Sequence, residues 1–116
     1  MPLVRLETTE ALAPESKARL RAELSRAGAE VIGKPEAYVM VVIADGLTML
    51  HAGKPGPTAF VDVRSIGGLS ADVNRKLAER LCALLVKSTR IPGDRIYLNF
   101  TSVAAADWGH DGSTFG

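Results

Sequence analysis

The 116-residue sequence contains a single cysteine, Cys82, so no disulfide can form within the chain. It has two histidines, His51 and His110, far apart and without supporting ligands, which argues against a metal site. Its net charge is +1, with Lys and Arg scattered along the chain rather than gathered in a patch. Nucleic acid and anionic membrane are therefore not expected partners. No apolar run approaches the ~20 residues that span a bilayer. The opening Met1-Pro2-Leu3-Val4-Arg5-Leu6-Glu7 meets an acidic residue too early for a signal peptide, so a cytoplasmic protein is expected.

The sequence is otherwise ordinary for a globular protein, with 47% hydrophobic and 23% charged residues. Residues 1–116 are expected to form one domain, burying roughly two-thirds of the unfolded surface and needing no covalent or metal staple.

Self-comparison reveals an internal repeat, approximately 2–44 and 59–101, at a shift of 57 positions. The shift lays Leu3 on Phe60, Val4 on Val61, Leu20 on Leu77, Leu24 on Leu81 and Pro35 on Pro92. Each unit reads as strand, helix, strand. Leu3 to Thr8 is a strand, and Pro14-Glu15 opens a helix whose apolar positions Leu20, Leu24, Ala27 and Val31 share one face. Gly33 and Pro35 end it. Tyr38 to Ala44 is nearly continuous apolar sequence, which predicts a strand buried on both faces. In the second unit Ala59 to Ser65 is a strand, Gly67-Gly68 a turn and Ser70 a helix N-cap. Val73, Leu77, Leu81, Leu84 and Leu85 form the buried stripe of that helix, with Cys82 beside them as a small apolar residue. The strand Arg95 to Thr101 follows Pro92-Gly93, and Asn99 in a central strand would want polar partners.

The expected fold is α/β: two pseudo-twofold-related β-α-β units forming a four-stranded sheet with two helices on one face. The other face would carry Leu3, Arg5 and Glu7 beside Phe60, Asp62 and Arg64, with Arg5 facing Asp62 and Glu7 facing Arg64. A lone chain has nothing to cover that face, so assembly through the sheet is expected.

Several strings then fall in order: Met1-Pro2 opening into a strand, and Gly33-Lys34-Pro35 before Tyr38-Val39-Met40-Val41. Ser65-Ile66-Gly67-Gly68, Asp94-Arg95-Ile96-Tyr97-Leu98-Asn99-Phe100 and Trp108-Gly109-His110-Asp111-Gly112-Ser113-Thr114-Phe115 follow. Together, from Pro2 to Phe115, they resemble the macrophage migration inhibitory factor family of the tautomerase superfamily. The resemblance implies a homotrimer with sites at subunit interfaces and keto-enol tautomerisation of phenylpyruvate-like 2-oxo acids without a cofactor. It makes Pro2 the general base, once Met1 is removed. It assigns substrate binding to Lys34 and the Ile66 N–H, and to Tyr97 and Asn99 from a neighbouring subunit. Leu3, Tyr38, Trp108 and Phe115 would line the pocket, and His110 stands where many members have an aromatic residue. Thr58-Ala59-Phe60-Val61 occupies the stretch where animal members carry Cys-x-x-Cys, so thiol redox activity is not expected.

The chemistry suits these residue types. A free α-amine titrates near ~8, closer to neutrality than lysine. Burial and a nearby cation such as Lys34 both disfavour its charged form and so move it toward a useful base. Lys34 can pair with a substrate carboxylate, and Asn99 can donate to it. Two alternatives remain at this level: another proline-dependent reaction on the same fold, such as hydration or dehalogenation, and a non-catalytic trimer acting by partner binding.

Overall fold

The computed structural model describes residues 1–116. Strands β1 (Pro2–Thr8), β2 (Met40–Ala44), β3 (Ala59–Ser65) and β4 (Ile96–Ser102) form one sheet in the order β2-β1-β3-β4. Helices α1 (Pro14–Ile32) and α2 (Ala71–Thr89) make the two crossovers. Within each unit the strands are parallel, and the units join through antiparallel β1 and β3. A short hairpin, β5 (Gly109–His110) and β6 (Ser113–Thr114), closes the chain.

The repeat is stricter in structure than in sequence. Adding 57 to the bounds of β1, α1 and the 3-10 turn Glu36–Tyr38 gives those of β3, α2 and the turn Gly93–Arg95. Helix α1 begins at Pro14, where the missing N–H would have had no helical partner. It ends at left-handed Gly33, whose N–H donates to Ala29 O. Helix α2 begins at Ser70, whose Oγ accepts from the Val73 N–H at 3.1 Å, and ends at left-handed Arg90.

Both helices lie on one face and pack on each other. Leu20, Leu24, Ala27 and Ile32 of α1 and Leu77, Leu81 and Leu85 of α2 bury Val4, Leu6, Val61 and Val63 of the two central strands. Truncating one such leucine to alanine costs about 2–5 kcal/mol. Cys82 is half-buried against this core, and burial raises its thiol pKa, which keeps it unreactive. No helix is long and apolar enough to cross a membrane.

Alternation puts Leu3, Arg5, Glu7, Phe60, Asp62 and Arg64 on the uncovered face, as expected. The charge pairing differs. Arg5 does stand opposite Asp62, but Glu7 stands opposite Phe60 and Arg64 opposite Leu3. The ion pairs run along the strands instead, Arg5 to Glu7 at 3.9 Å and Arg64 to Asp62 at 3.0 Å. Residues two apart on a strand lie about 7 Å apart on one face, within an arginine's reach.

Two further expectations are corrected. The 3-10 turn at Glu36–Tyr38 delays β2 until Met40, and β2 is an edge strand, not one buried on both faces. Asn99 likewise lies on an edge strand, β4, and is exposed. The connection from β2 to β3 has little secondary structure, and two side chains fix it. Asp45 accepts from the Leu12 N–H at 2.9 Å and from Lys17 Nζ at 3.2 Å. Arg95 donates to the carbonyls of Pro57, Lys54 and His51 at 2.7, 3.0 and 3.4 Å.

Candidate active site

The first residue of β1 lines an apolar cavity. Pro2 is fully buried at the end of a central strand, opposite Ser65. There a cavity of about 530 Å³ opens between β1, the start of β2 and the C-terminal hairpin. Pro2, Leu3, Tyr38, Met40, Trp108 and Phe115 line it, so all four expected pocket residues meet at the expected base. His110 lines it as well, stacked on Phe115 with ring centroids 5.5 Å apart and planes 18° from parallel.

Met1 occupies the same cavity. Its terminal amine is held below the ordinary α-amine range, first by burial and second by the charge of Lys34. Lys34 approaches from the loop after α1 and folds over the Gly67-Gly68 turn. Its Nζ lies 3.7 Å from where a Cβ on Gly67 would sit, and its Cε 3.3 Å from one on Gly68. Ile66 sits within this turn, between Gly67 and the partner of Pro2. Ser65 Oγ donates to Gly67 O at 2.7 Å, and the Val103 N–H donates to Ser65 O at 2.9 Å. Pro2, Lys34 and the glycine turn thus meet at the end of β3.

Tyr97 and Asn99 are not part of this constellation within one chain. In register, Pro2 is level with Ser65 and Ser65 with Ser102. Asn99 is three residues down β4 from that level, about 10 Å, and Tyr97 five residues, about 17 Å. Tyr97 is 63% exposed and meets the His51 ring edge-on, at 4.7 Å between centroids. Asn99 Oδ1 accepts from the Thr101 hydroxyl at 3.3 Å.

The alignment of these features along the whole chain has a counterpart among known proteins. The family model "Macrophage migration inhibitory factor (MIF)" matches residues 1–116. The chain belongs to the macrophage migration inhibitory factor family. It is 34% identical to a macrophage migration inhibitory factor homolog of Brugia malayi over 116 residues, all of both chains. Its fold matches the crystal structure of the homologue from Prochlorococcus marinus with a TM-score of 0.93 and 38% identity, covering 98% of this chain and 99% of that one. A third solved structure, of a protein inactivated by 2-oxo-3-pentynoate, matches with a TM-score of 0.85 and 26% identity, over 96% and 93% of the chains.

Sequence reasoning overlooked Met40, which shares the cavity wall with Tyr38 two residues away. No strand periodicity links the two, because Tyr38 ends the 3-10 turn and Met40 opens β2. It also overlooked Arg64, Val103 and Asp107, which border a smaller neighbouring cavity of about 260 Å³. Residues so distant in sequence converge only through the loop after β4.

Proposed function

We propose that the protein is a cofactor-independent keto-enol tautomerase of phenylpyruvate-like 2-oxo acids, with the Pro2 amine as general base after removal of Met1. The observation that carries this reading is a fully buried Pro2 in an apolar cavity where a terminal amine is already depressed by burial and by Lys34. Loss of Met1 transfers the free amine to Pro2, one residue deeper, where both causes act on it.

In the proposed reaction the neutral ring nitrogen takes a proton from the carbon beside the 2-oxo group, and the protonated amine gives it to the enolate oxygen, which restores the neutral base. Lys34 pairs with the carboxylate, and the Ile66 N–H donates to the acid's oxygens. Leu3, Tyr38, Trp108 and Phe115 enclose the aryl part and keep water from the amine. The protein acts as a homotrimer in this reading, since Tyr97 and Asn99 reach a site only if a neighbouring copy presents them. The exposed edges β2 and β4, with Met40 63% and Tyr97 63% exposed, leave backbone and side chains free for that contact. The susceptibility of one structural relative to a 2-oxo acid supports the substrate class.

Intact-mass measurement followed by a phenylpyruvate assay tests the proposal. Wild type should lack Met1 and exceed Pro2→Gly by about 100-fold or more, the scale of positioned general-base catalysis. Equal rates in the two proteins would abandon the proline mechanism. Light scattering should return three times the chain mass.

A further inference from the structure

The smaller cavity adjoins the one at Pro2 and shares Leu3, Trp108 and Gly109 with it. Arg64 and Asp107 supply its charged walls. Arg64 is the register partner of Leu3, one pair from Pro2, and both side chains project onto the uncovered face of the sheet. Its guanidinium is held from one side only. Nε donates to Asp62 Oδ2 at 3.1 Å, and Nη2 lies 3.0 Å from the same oxygen. Nη1 makes no hydrogen bond or ion pair within the chain, and Arg64 borders the cavity. A guanidinium oriented in this way recognises a carboxylate with little further loss of freedom.

Resting on the 2-oxo acid reading above, we propose that Arg64 is a specificity-determining residue that seats a second carboxylate. Among 2-oxo acids without an aryl group, those with a distal carboxylate are then favoured, with the reacting end at Pro2 and Lys34 and the distal carboxylate past Leu3 at Arg64. Asp107 opposes this seat, because it lines the same cavity with a side chain of the ligand's own charge sign. The two residues therefore act with opposite sign on one ligand group.

Binding separates this inference from catalysis. Trp108 is the chain's single tryptophan and borders both cavities, so its fluorescence reports occupancy without turnover. The probes are 2-oxoglutarate and 2-oxopentanoate, which differ only in a terminal carboxylate against a methyl group. Protein freed of Met1 should bind the dicarboxylate about tenfold more tightly, the scale of one charge-assisted hydrogen bond. Arg64→Gln should bring the ratio close to one, Arg64→Lys should keep part of it, and Asp107→Asn should widen it. Circular dichroism checks that each variant is folded. No preference in wild type, or an equal weakening of both acids by Arg64→Gln, would overturn the inference; the latter would mean that Arg64 holds the carboxylate common to both. Failure of the Pro2 reading shows elsewhere, as absent exchange of the C3 protons in heavy water with binding intact.

Discussion

Pro2 and Ser65 face each other across the centre of the sheet, and neither is reached by solvent. The Ser65 hydroxyl restrains Gly67, and its carbonyl receives Val103 on the way to Trp108. Ser65→Ala should therefore loosen the turn beneath Lys34 while leaving the core intact. A stability loss of about 1 kcal/mol is expected from the one hydrogen bond. Thermal melting and a phenylpyruvate assay should show a small drop in Tm beside a clear rise in KM. An unchanged KM would mean that the turn does not depend on this hydroxyl.

Gly68 has no room for a side chain. A Cβ there would lie 2.7 Å from Ile32 Cγ2 and 3.0 Å from Ile32 O, at a φ of +82°. Gly68→Ala should cost about 2–3 kcal/mol, since steric overlap adds to left-handed strain. At Gly67 the nearest atom is the mobile Lys34 Nζ, 3.7 Å away, so Gly67→Ala should cost only about 1 kcal/mol. Denaturant melts of the pair should rank them in that order.

The repeat predicts a stabilising change. Gly33 and Arg90 occupy equivalent C-terminal positions of the two helices, with φ of 79° and 62°. Only the first is the residue type that the left-handed region favours. Arg90→Gly should raise stability by about 1 kcal/mol. A lowered Tm would show that the arginine side chain contributes more than its backbone strain removes.

The pH profile tests the role of Lys34. Burial is the larger cause of the depressed terminal amine and Lys34 the smaller. The base works when unprotonated, so activity holds above its pKa and falls as pH drops through it. Removing a cation lets the amine protonate at higher pH. Lys34→Met should move the acid limb of kcat upward, yet leave it below an exposed α-amine near ~8, because burial remains. A limb that stays in place would disconnect the two groups.

Asp45 carries a pH dependence of stability. The Leu12 N–H, then Lys17, hold its carboxyl below the ordinary range against the opposing effect of desolvation. A carboxyl depressed on folding stabilises above its unfolded pKa, and the benefit disappears as pH falls through the folded value. Wild type should melt above Asp45→Asn at pH 7, and the gap should close below about pH 4. A gap unchanged to pH 2 would contradict this.

The sequence disclosed the helices and central strands because each carries its own punctuation: Pro14 and Gly33 around α1, Ser70 before α2, and strict alternation along β1 and β3. It disclosed the apolar wall of the cavity through the C-terminal string that ends at Phe115. The place of β2 was hidden, because an apolar run reads alike whether a neighbouring strand or a further chain covers it. Arg64 was hidden for a related reason. Its charge announces a solvated or paired residue, and pairing along its own strand, not across to Glu7, leaves one nitrogen without a partner in a residue that lines the same cavity as Trp108.

Arg95 ties three carbonyls of the β2–β3 connection with one side chain. A guanidinium keeps its proton throughout the range in which proteins stay folded. The Arg95 clasp itself therefore does not titrate: while Asp45 at the head of the segment loses its grip in acid, the three carbonyls at its far end keep the same donor, so acid would free this connection from one end only.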